Sequence, residues 1–338
     1  MVPKLETKIL GTTEHDIYIA AEIIKSGGIV AFPTETVYGL GANALDEAAA
    51  RKVYEAKGRP SDNPMIVHIS SFDDMETLTD RITEDMSMLM RALWPGPLTM
   101  VVAAKDIVPK VTTGGLDTVA VRMPSGKVAA ALIEASGVPI AAPSANISGR
   151  PSPTTYKHCI DDLTGRVDAI ICGENCKIGI ESTVVDMTGD IPVILRPGII
   201  TKEQLSEILG KKVEIDPYLL IKPGSTVSSD FQPKSPGVKY KHYAPKAEMF
   251  IVRGEDSLVK KVMAEKKSEF ESLGKKVELI YYEAAHPEIA ANEFFSALRA
   301  ADGRGADVIL ASALPEEGVG FAVMNRMFKS AGYNIIDV

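Results

Sequence analysis

The sequence predicts an α/β protein of two domains, and three observations carry that expectation. The chain has 338 residues, more than one compact core usually holds. Short runs rich in valine, isoleucine and alanine alternate with amphipathic stretches of helical period, the pattern of strands joined by helices. A segment carrying Pro217, Pro223, Pro233, Pro236 and Pro245 shows neither period and separates two alternating blocks.

The elements follow in order. Ile17, Ala20, Ala21 and Ile24 recur at helical spacing before Gly27-Gly28, and Ile29–Phe32 then reads as a short buried strand. Asp46 caps a helix that runs to Lys57 and stops at Gly58 and Pro60. Met65–Ile69 is strand-like, Glu84–Leu93 helical, Thr99–Ala103 and Thr118–Arg122 are strands, and Val128–Ser136 is a helix. Further strands are expected at Ile140–Ala142, Ala169–Ile171, Ser182–Met187 and Val193–Leu195. Thr201 and Gln204 form the capping box of a helix that closes at Gly210. Beyond the proline-rich segment, strands at Glu248–Val252, Val277–Tyr281 and Val308–Ala311 alternate with helices at Ser257–Glu271, Ile289–Ala301 and Val319–Lys329. That pattern is a small three-layer unit on a parallel sheet. The boundaries read as 1–212 for the first domain, 213–246 for the linker and 247–338 for the second domain.

Composition narrows the function. With 45% apolar and 24% charged residues, the chain is a globular protein and not a disordered one. The uncharged run Ala135–Gly149 carries Pro139 and Pro143 and is too short to span a bilayer, so no membrane partner is expected. The first residues lack the apolar stretch of an export signal, and three cysteines cannot build a disulfide framework, which together predict a cytoplasmic protein. A formal charge of −8 argues against a general nucleic-acid binder while allowing a local basic pocket.

Most motifs with a known mechanism are absent, including the phosphate-binding G-x-x-x-x-G-K-[ST] loop, H-E-x-x-H and G-x-S-x-G. Gly39-Leu-Gly-Ala-Asn-Ala44 matches a dinucleotide fingerprint in letters, but six residues separate it from the preceding strand, where the fingerprint needs a direct strand-to-helix turn. His158, Cys159, Cys172 and Cys176 have loose spacing and read as ordinary thiols and imidazole, so no protein metal site is assigned.

The informative residues sit in Gly/Pro-punctuated loops at strand ends, where α/β sheets place their ligands. Pro33-Thr-Glu-Thr36 follows the first strand, and Lys57-Gly-Arg59-Pro-Ser-Asp-Asn63 follows a helix. Taken alone, Lys57 and Arg59 also read as cations offsetting that helix's dipole. His68 shares a strand face with Ile66 and Ser70 and suits either a structural or a ligand-binding role. Thr118 and Arg122 leave the main apolar face of their strand together. An arginine there can hold a carboxylate or phosphate with two bonds, or form a surface ion pair. Ser144-Ala-Asn146-Ile-Ser148 can bring hydroxyls and backbone N–H groups to phosphate oxygens, or be an ordinary turn. With Ser182 and Arg196 at further strand ends, the set converges on a polyanion pocket whose chemistry is positional and electrostatic.

These residues resemble a known family, the YrdC-type L-threonylcarbamoyladenylate synthases, in the long form with an extra C-terminal domain. The matching segments are Gly28-Ile-Val-Ala-Phe-Pro-Thr-Glu-Thr-Val-Tyr-Gly-Leu-Gly41, Lys57-Gly-Arg-Pro with Asn63-Pro64, Trp94-Pro-Gly-Pro-Leu-Thr99, Val121-Arg-Met-Pro124, Pro143-Ser-Ala-Asn-Ile-Ser-Gly149, Glu181-Ser-Thr-Val-Val-Asp186 and Arg196-Pro-Gly198. Ser235–Pro245 and Gly318–Arg326 resemble the long form in particular. The resemblance implies a twisted mixed-sheet domain with a concave basic face, followed by a smaller Rossmann-like domain. It implies synthesis of threonylcarbamoyl-AMP from L-threonine, bicarbonate or CO2, and ATP, with Mg2+ bound mainly through ATP phosphates. A separate transferase complex would pass the group to the adenosine beside a tRNA anticodon, with weak tRNA contact conceivable. By the same resemblance Lys57, Arg59, Ser144 and Asn146 form the catalytic K-x-R and S-x-N sets. Those four, with Asn63, Thr118, Arg196, His242 and Tyr243, would bind ATP, the last two as a lid. Thr36, His68, Arg122 and Ser182 would hold threonine. Arg59→Ala is expected to abolish turnover and leave the fold intact. The alternatives are a carbamoyl-adenylate-forming maturation enzyme, whose zinc modules three cysteines cannot supply, and an RNA-binding module.

Overall fold

The computed structural model describes residues 5–220 and 243–338. They divide into two compact units, one holding 5–148 and 152–220, the other 149–151 and 243–338. Among the described residues, no helix is long and apolar enough to cross a membrane.

In the first unit, strands β1 (Lys8–Leu10), β2 (Val30–Phe32), β3 (Gly39–Asn43), β4 (Ile66–His68), β5 (Leu98–Ala103), β6 (Thr118–Arg122), β7 (Ile140–Ala141), β8 (Ala169–Ile171), β9 (Thr183–Asp186), β10 (Val193–Arg196) and β11 (Glu214–Ile215) form one sheet. Its order is β1-β8-β2-β3-β7-β4-β6-β5-β9-β10-β11. Parallel pairs such as β4/β6 and β5/β9 alternate with antiparallel ones such as β2/β3 and β5/β6, so the sheet is mixed, as expected. The helices are α1 (Glu14–Lys25), α2 (Glu47–Lys57), α3 (Asp74–Leu78), α4 (Glu84–Leu93), α5 (Lys110–Thr113), α6 (Lys127–Ser136), α7 (Tyr156–Leu163) and α8 (Lys202–Leu209).

Local chemistry sets the helix ends. Thr13 and Asp16 close a capping box on α1, and Asp46 accepts from the N–H groups of Ala48 and Ala49 at the start of α2. Gly58 and Gly210 end α2 and α8 in the left-handed conformation that glycine adopts without steric cost. Sequence periodicity did not show α7, β1 or β3. Two of the three are short, and β3 is glycine-rich and lacks the side chains that mark a strand. The first sheet also runs past the expected boundary at 212, because β11 pairs with β10.

Alternation along the strands gives the sheet two different faces. On one, Val67, Val119, Val121, Met100 and Val185 form the main core with Val53 of α2, Leu89 of α4, Leu163 of α7 and Leu205 of α8. The other is divided. At the β1–β8–β2 end, α1 and α6 cover Leu10, Val30, Phe32 and Ile171. Toward β10, the cluster consists of strand residues, namely Ile66, Val101, Ala120, Val184 and Leu195. Thr118, Arg122, His68 and Thr99 fall on this second face by parity with Ala120, Ile66 and Val101.

In the second unit, β12 (Glu248–Arg253), β13 (Val277–Ile280), β14 (Val308–Ser312) and β15 (Ile335–Asp337) form an all-parallel sheet in the order β13-β14-β12-β15. Helix α9 (Asp256–Ser272) packs Val259 and Met263 on Val252, Val308 and Leu310. The chain reverses its direction across the sheet after β13. Right-handed crossovers therefore send α10 (Pro287–Gly303) and α11 (Gly318–Ser330) to the opposite face, giving the three layers expected.

The glycines of β3 have a packing role, not a cofactor role. A Cβ on Gly41 would lie 2.6 Å from Ile140 Cγ2 and 2.7 Å from the Phe32 ring, and that ring meets the His68 imidazole edge-on with centroids 6.3 Å apart. Gly41→Ala is therefore expected to overpack this layer and cost about 1–3 kcal/mol, read as a lower urea midpoint, and to reduce activity through His68.

Candidate active site

Strand register brings most of the expected residues onto one face. His68 is level with Arg122 in the β4/β6 pair, and Thr99 is level with Arg122 in the β5/β6 pair. Arg122, 3% exposed, donates from Nε to Gly96 O (3.2 Å) and from Nη1 to Thr36 Oγ1 (2.9 Å). Thr34 Oγ1 donates to Val37 O, so Thr36 Oγ1 accepts from Arg122 and donates onward to Thr34 at 2.9 Å. Nη2 of Arg122 lies 2.6 Å from Glu35 Oε1, both side chains being buried. The ion pair considered for a surface is thus an interior one.

The network continues along the sheet. Thr99 Oγ1 and Ser182 Oγ are 2.7 Å apart, and Arg196 donates from Nη2 to Ser182 Oγ and from Nε to Ser182 O, each at 3.0 Å. Arg196, expected on the nucleotide side, is held beside Ser182. The His68 imidazole is pushed down to about 3 by burial and by the neighbouring Arg122 charge, so it is neutral at physiological pH. Its Nδ1 faces Ile66 O at 3.1 Å.

A second group lies around the end of α2. Lys57, 2% exposed, donates from Nζ to Ser144 O and Asn146 O, each at 2.5 Å. Ser144 Oγ donates to Asn146 Oδ1 at 2.6 Å. Ser148 N donates to Lys57 O and Ala145 N to Tyr38 O, so the S-x-N loop is stitched to α2 on one side and to the segment before β3 on the other. Lys57 thus does more than offset a helix dipole, because its charge fixes the loop's path. Arg59 is buried as well and donates to Asn63 O and to Pro64 O. That corrects the expectation that Arg59 can be removed without cost to the fold. Because β4 and β6 run parallel, Thr118 at the start of β6 lies toward the end that Asn63 enters, while His68 and Arg122 occupy the other. Asn63 Oδ1 is buried and has no hydrogen-bond partner.

His242 lies outside the described residues. Tyr243 is buried in the second unit, with φ at 63° and its ring 5.1 Å from that of Phe295. Sequence reasoning did not assign Glu35 or Thr99 to the site. A cavity of about 720 Å³ beside Glu35 is lined by Thr12, Pro33, Ser125, Lys127, Asn175 and Lys177 among others, and by none of the expected residues.

A mixed sheet whose polar face carries a buried arginine at one end of a strand pair and a lysine-tied Ser/Asn loop nearby defines a YrdC-type domain, here followed by a smaller parallel α/β unit. Residues 22–198 match the family model described as "Telomere recombination", and residues 200–332 match "Threonylcarbamoyl-AMP synthase, C-terminal domain". The chain is 49% identical to the threonylcarbamoyl-AMP synthase of Pyrococcus abyssi, with 96% of each chain covered. It is 43% identical to that of Bacillus subtilis, covering 98% of this chain and 97% of the relative. Its structure is similar to that of P. abyssi Sua5 complexed with L-threonine, with a TM-score of 0.91 and 48% identity over 98% of this chain and all of the other. The chain belongs to the threonylcarbamoyl-AMP synthase family, in its long form.

Two outcomes follow from this geometry. Arg59→Ala removes the donor to the Pro64 carbonyl, at about 1–3 kcal/mol, while Asn63 O keeps the Tyr54 hydroxyl at 3.1 Å, so the variant is expected to lower the denaturant midpoint as well as turnover. For His68, the folded value of about 3 lies below the ordinary 6.5, so between those values the unfolded chain binds a proton that the folded chain refuses. Its contribution is complete above pH 6.5 and is lost as pH falls toward 3. His68→Gln should therefore lose less stability than wild type between pH 7 and pH 4.5 in urea titrations.

Proposed function

We propose that this protein makes L-threonylcarbamoyl-AMP from L-threonine, bicarbonate or CO2, and ATP, releasing pyrophosphate. The observation that carries the proposal is the buried Arg122 guanidinium, bonded to Thr36, level with His68 and Thr99 in the sheet, with Ser182 bonded to Thr99, in a chain whose full length matches curated synthases of this compound. A desolvated guanidinium holds a carboxylate with two charge-assisted bonds, and hydroxyls and a neutral imidazole beside it suit the rest of a small polar amino acid. In this reading Arg122 clamps the threonine carboxylate, while Thr36, His68 and Ser182 orient its other groups.

The chemistry then needs alignment more than a protein nucleophile. The neutral amine adds to CO2 and gives up a proton, forming a carbamate. A carbamate oxygen attacks the α-phosphorus, and the bond to the bridging oxygen breaks as pyrophosphate leaves. Holding both partners in line is worth several kcal/mol, and fixed cations and donors stabilise the phosphate charge. Lys57, Arg59, Asn63, Thr118, Ser144 and Asn146 would serve that end. With Glu35 committed to Arg122, Mg2+ would be held through triphosphate oxygens and water, where it neutralises phosphate charge. A transferase complex acting on the adenosine next to the tRNA anticodon would consume the product, since acyl adenylates hydrolyse readily.

The test is pyrophosphate release with each substrate omitted in turn, where release that ignores threonine or bicarbonate counts against the proposal. Arg122→Lys, which loses the planar two-pronged donor, is expected to raise KM for threonine by about 10–100-fold and to leave KM for ATP nearly unchanged.

A further inference from the structure

Among the described residues, half of the buried polar side-chain atoms that lack a hydrogen-bond partner meet at one point. They are Arg122 Nη2 and both carboxylate oxygens of Glu35, while Asn63, Tyr282 and Ser330 contribute one atom each. Nη2 and Oε1 stand 2.6 Å apart, with side chains 4% and 9% exposed. They attract each other as charges, and neither atom has a hydrogen-bond partner. Atoms left in that state are costly and call for a donor and an acceptor from elsewhere.

An α-amino acid offers both. Its carboxylate and its ammonium hang from one carbon, so the groups that receive them must be opposite in charge and about a hydrogen bond's length apart. We propose that Glu35 is a further substrate-binding residue, receiving the α-ammonium of the amino acid whose carboxylate Arg122 takes. The proposal rests on the threonine-dependent function above. Burial alone would raise the Glu35 pKa, but the Arg122 charge beside it helps hold the carboxyl below its ordinary value. An ionised, weakly basic carboxylate serves as a counter-charge for the incoming zwitterion, not as its proton acceptor. Its position in the loop that also supplies Thr36 lets one short segment address the substrate from two sides.

Calorimetry on the full-length protein separates this role from its neighbours, with L-threonine and its des-amino analogue 3-hydroxybutyrate as ligands. Glu35→Gln is expected to bind threonine about 10-fold or more weakly, the loss of one charge-assisted contact, and to bind 3-hydroxybutyrate within about twofold of wild type. Glu35→Asp keeps the charge one methylene back, so it should lose less threonine affinity; it also carries the test if the glutamine variant fails to fold. Equal losses for both ligands would mean that Glu35 merely orients Arg122, and unchanged or tighter threonine binding would mean that it only obstructs the guanidinium. Either result overturns the proposal. A wild-type protein that binds no threonine overturns the parent function too, a result distinct from any loss confined to the variants.

Discussion

A full positive charge sits inside the first unit, and the surrounding structure is arranged around it. Arg122 has left water almost completely, and an isolated buried charge is costly enough that a fold keeps one only when it is paired and hydrogen-bonded. Two nitrogens donate hydrogen bonds, Nε to Gly96 O and Nη1 to Thr36 Oγ1, and the Glu35 carboxylate stands opposite Nη2 as a counter-charge. The same charge dictates the state of its strand neighbour. His68, level with it in the sheet, is kept neutral in part because a second cation there would be repelled.

The sheet makes this tolerable by splitting the labour between and along its faces. One face is apolar throughout and packed by helices, while the other passes from a helix-covered end to a polar one over a floor of five buried aliphatic residues. Along β4 and β6 the polar groups lie at opposite ends, Arg59, Asn63 and Thr118 at one and His68 and Arg122 at the other. The four residue steps from Thr118 to Arg122 span about 13 Å. Two rigid parallel strands thus hold the two polar groups at a fixed separation, and Lys57 applies the same economy to the S-x-N loop by gathering its carbonyls onto one ammonium.

Much of this was legible in the sequence, for reasons that are local. Caps at Asp46 and Thr201 and the glycines at 58 and 210 mark helix ends within a few residues. The parity of Thr118 and Arg122 against Val119 and Val121 announces a polar face before any strand is paired. What parity cannot give is the identity of a distant partner. Thr36 and Arg122 are 86 residues apart, and nothing near Glu35 distinguishes it from a surface carboxylate. Arg59 misled for the same reason, since a polar loop reads as exposed until its carbonyls are seen to fold back onto the guanidinium. Strand β3 was hidden by its function in packing: glycines that admit the Phe32 ring remove the side chains that signal a strand.

The absence of a protein nucleophile from the proposed chemistry is also written in these environments. The hydroxyls near Arg122 are tied into the network, Thr36 to Thr34 and Thr99 to Ser182. Cys176 has its thiol pushed up to about 12 by burial and by the Glu35 charge, so its reactive thiolate is suppressed. A site in which hydroxyls are engaged, thiols are protonated and the histidine is neutral has little capacity for covalent or strong acid–base catalysis. It retains fixed charge, held by the fold in a medium that strengthens it. That suits a reaction whose partners, an amine, carbon dioxide and a triphosphate, already carry the reactivity and need chiefly to be neutralised, aligned and kept from water.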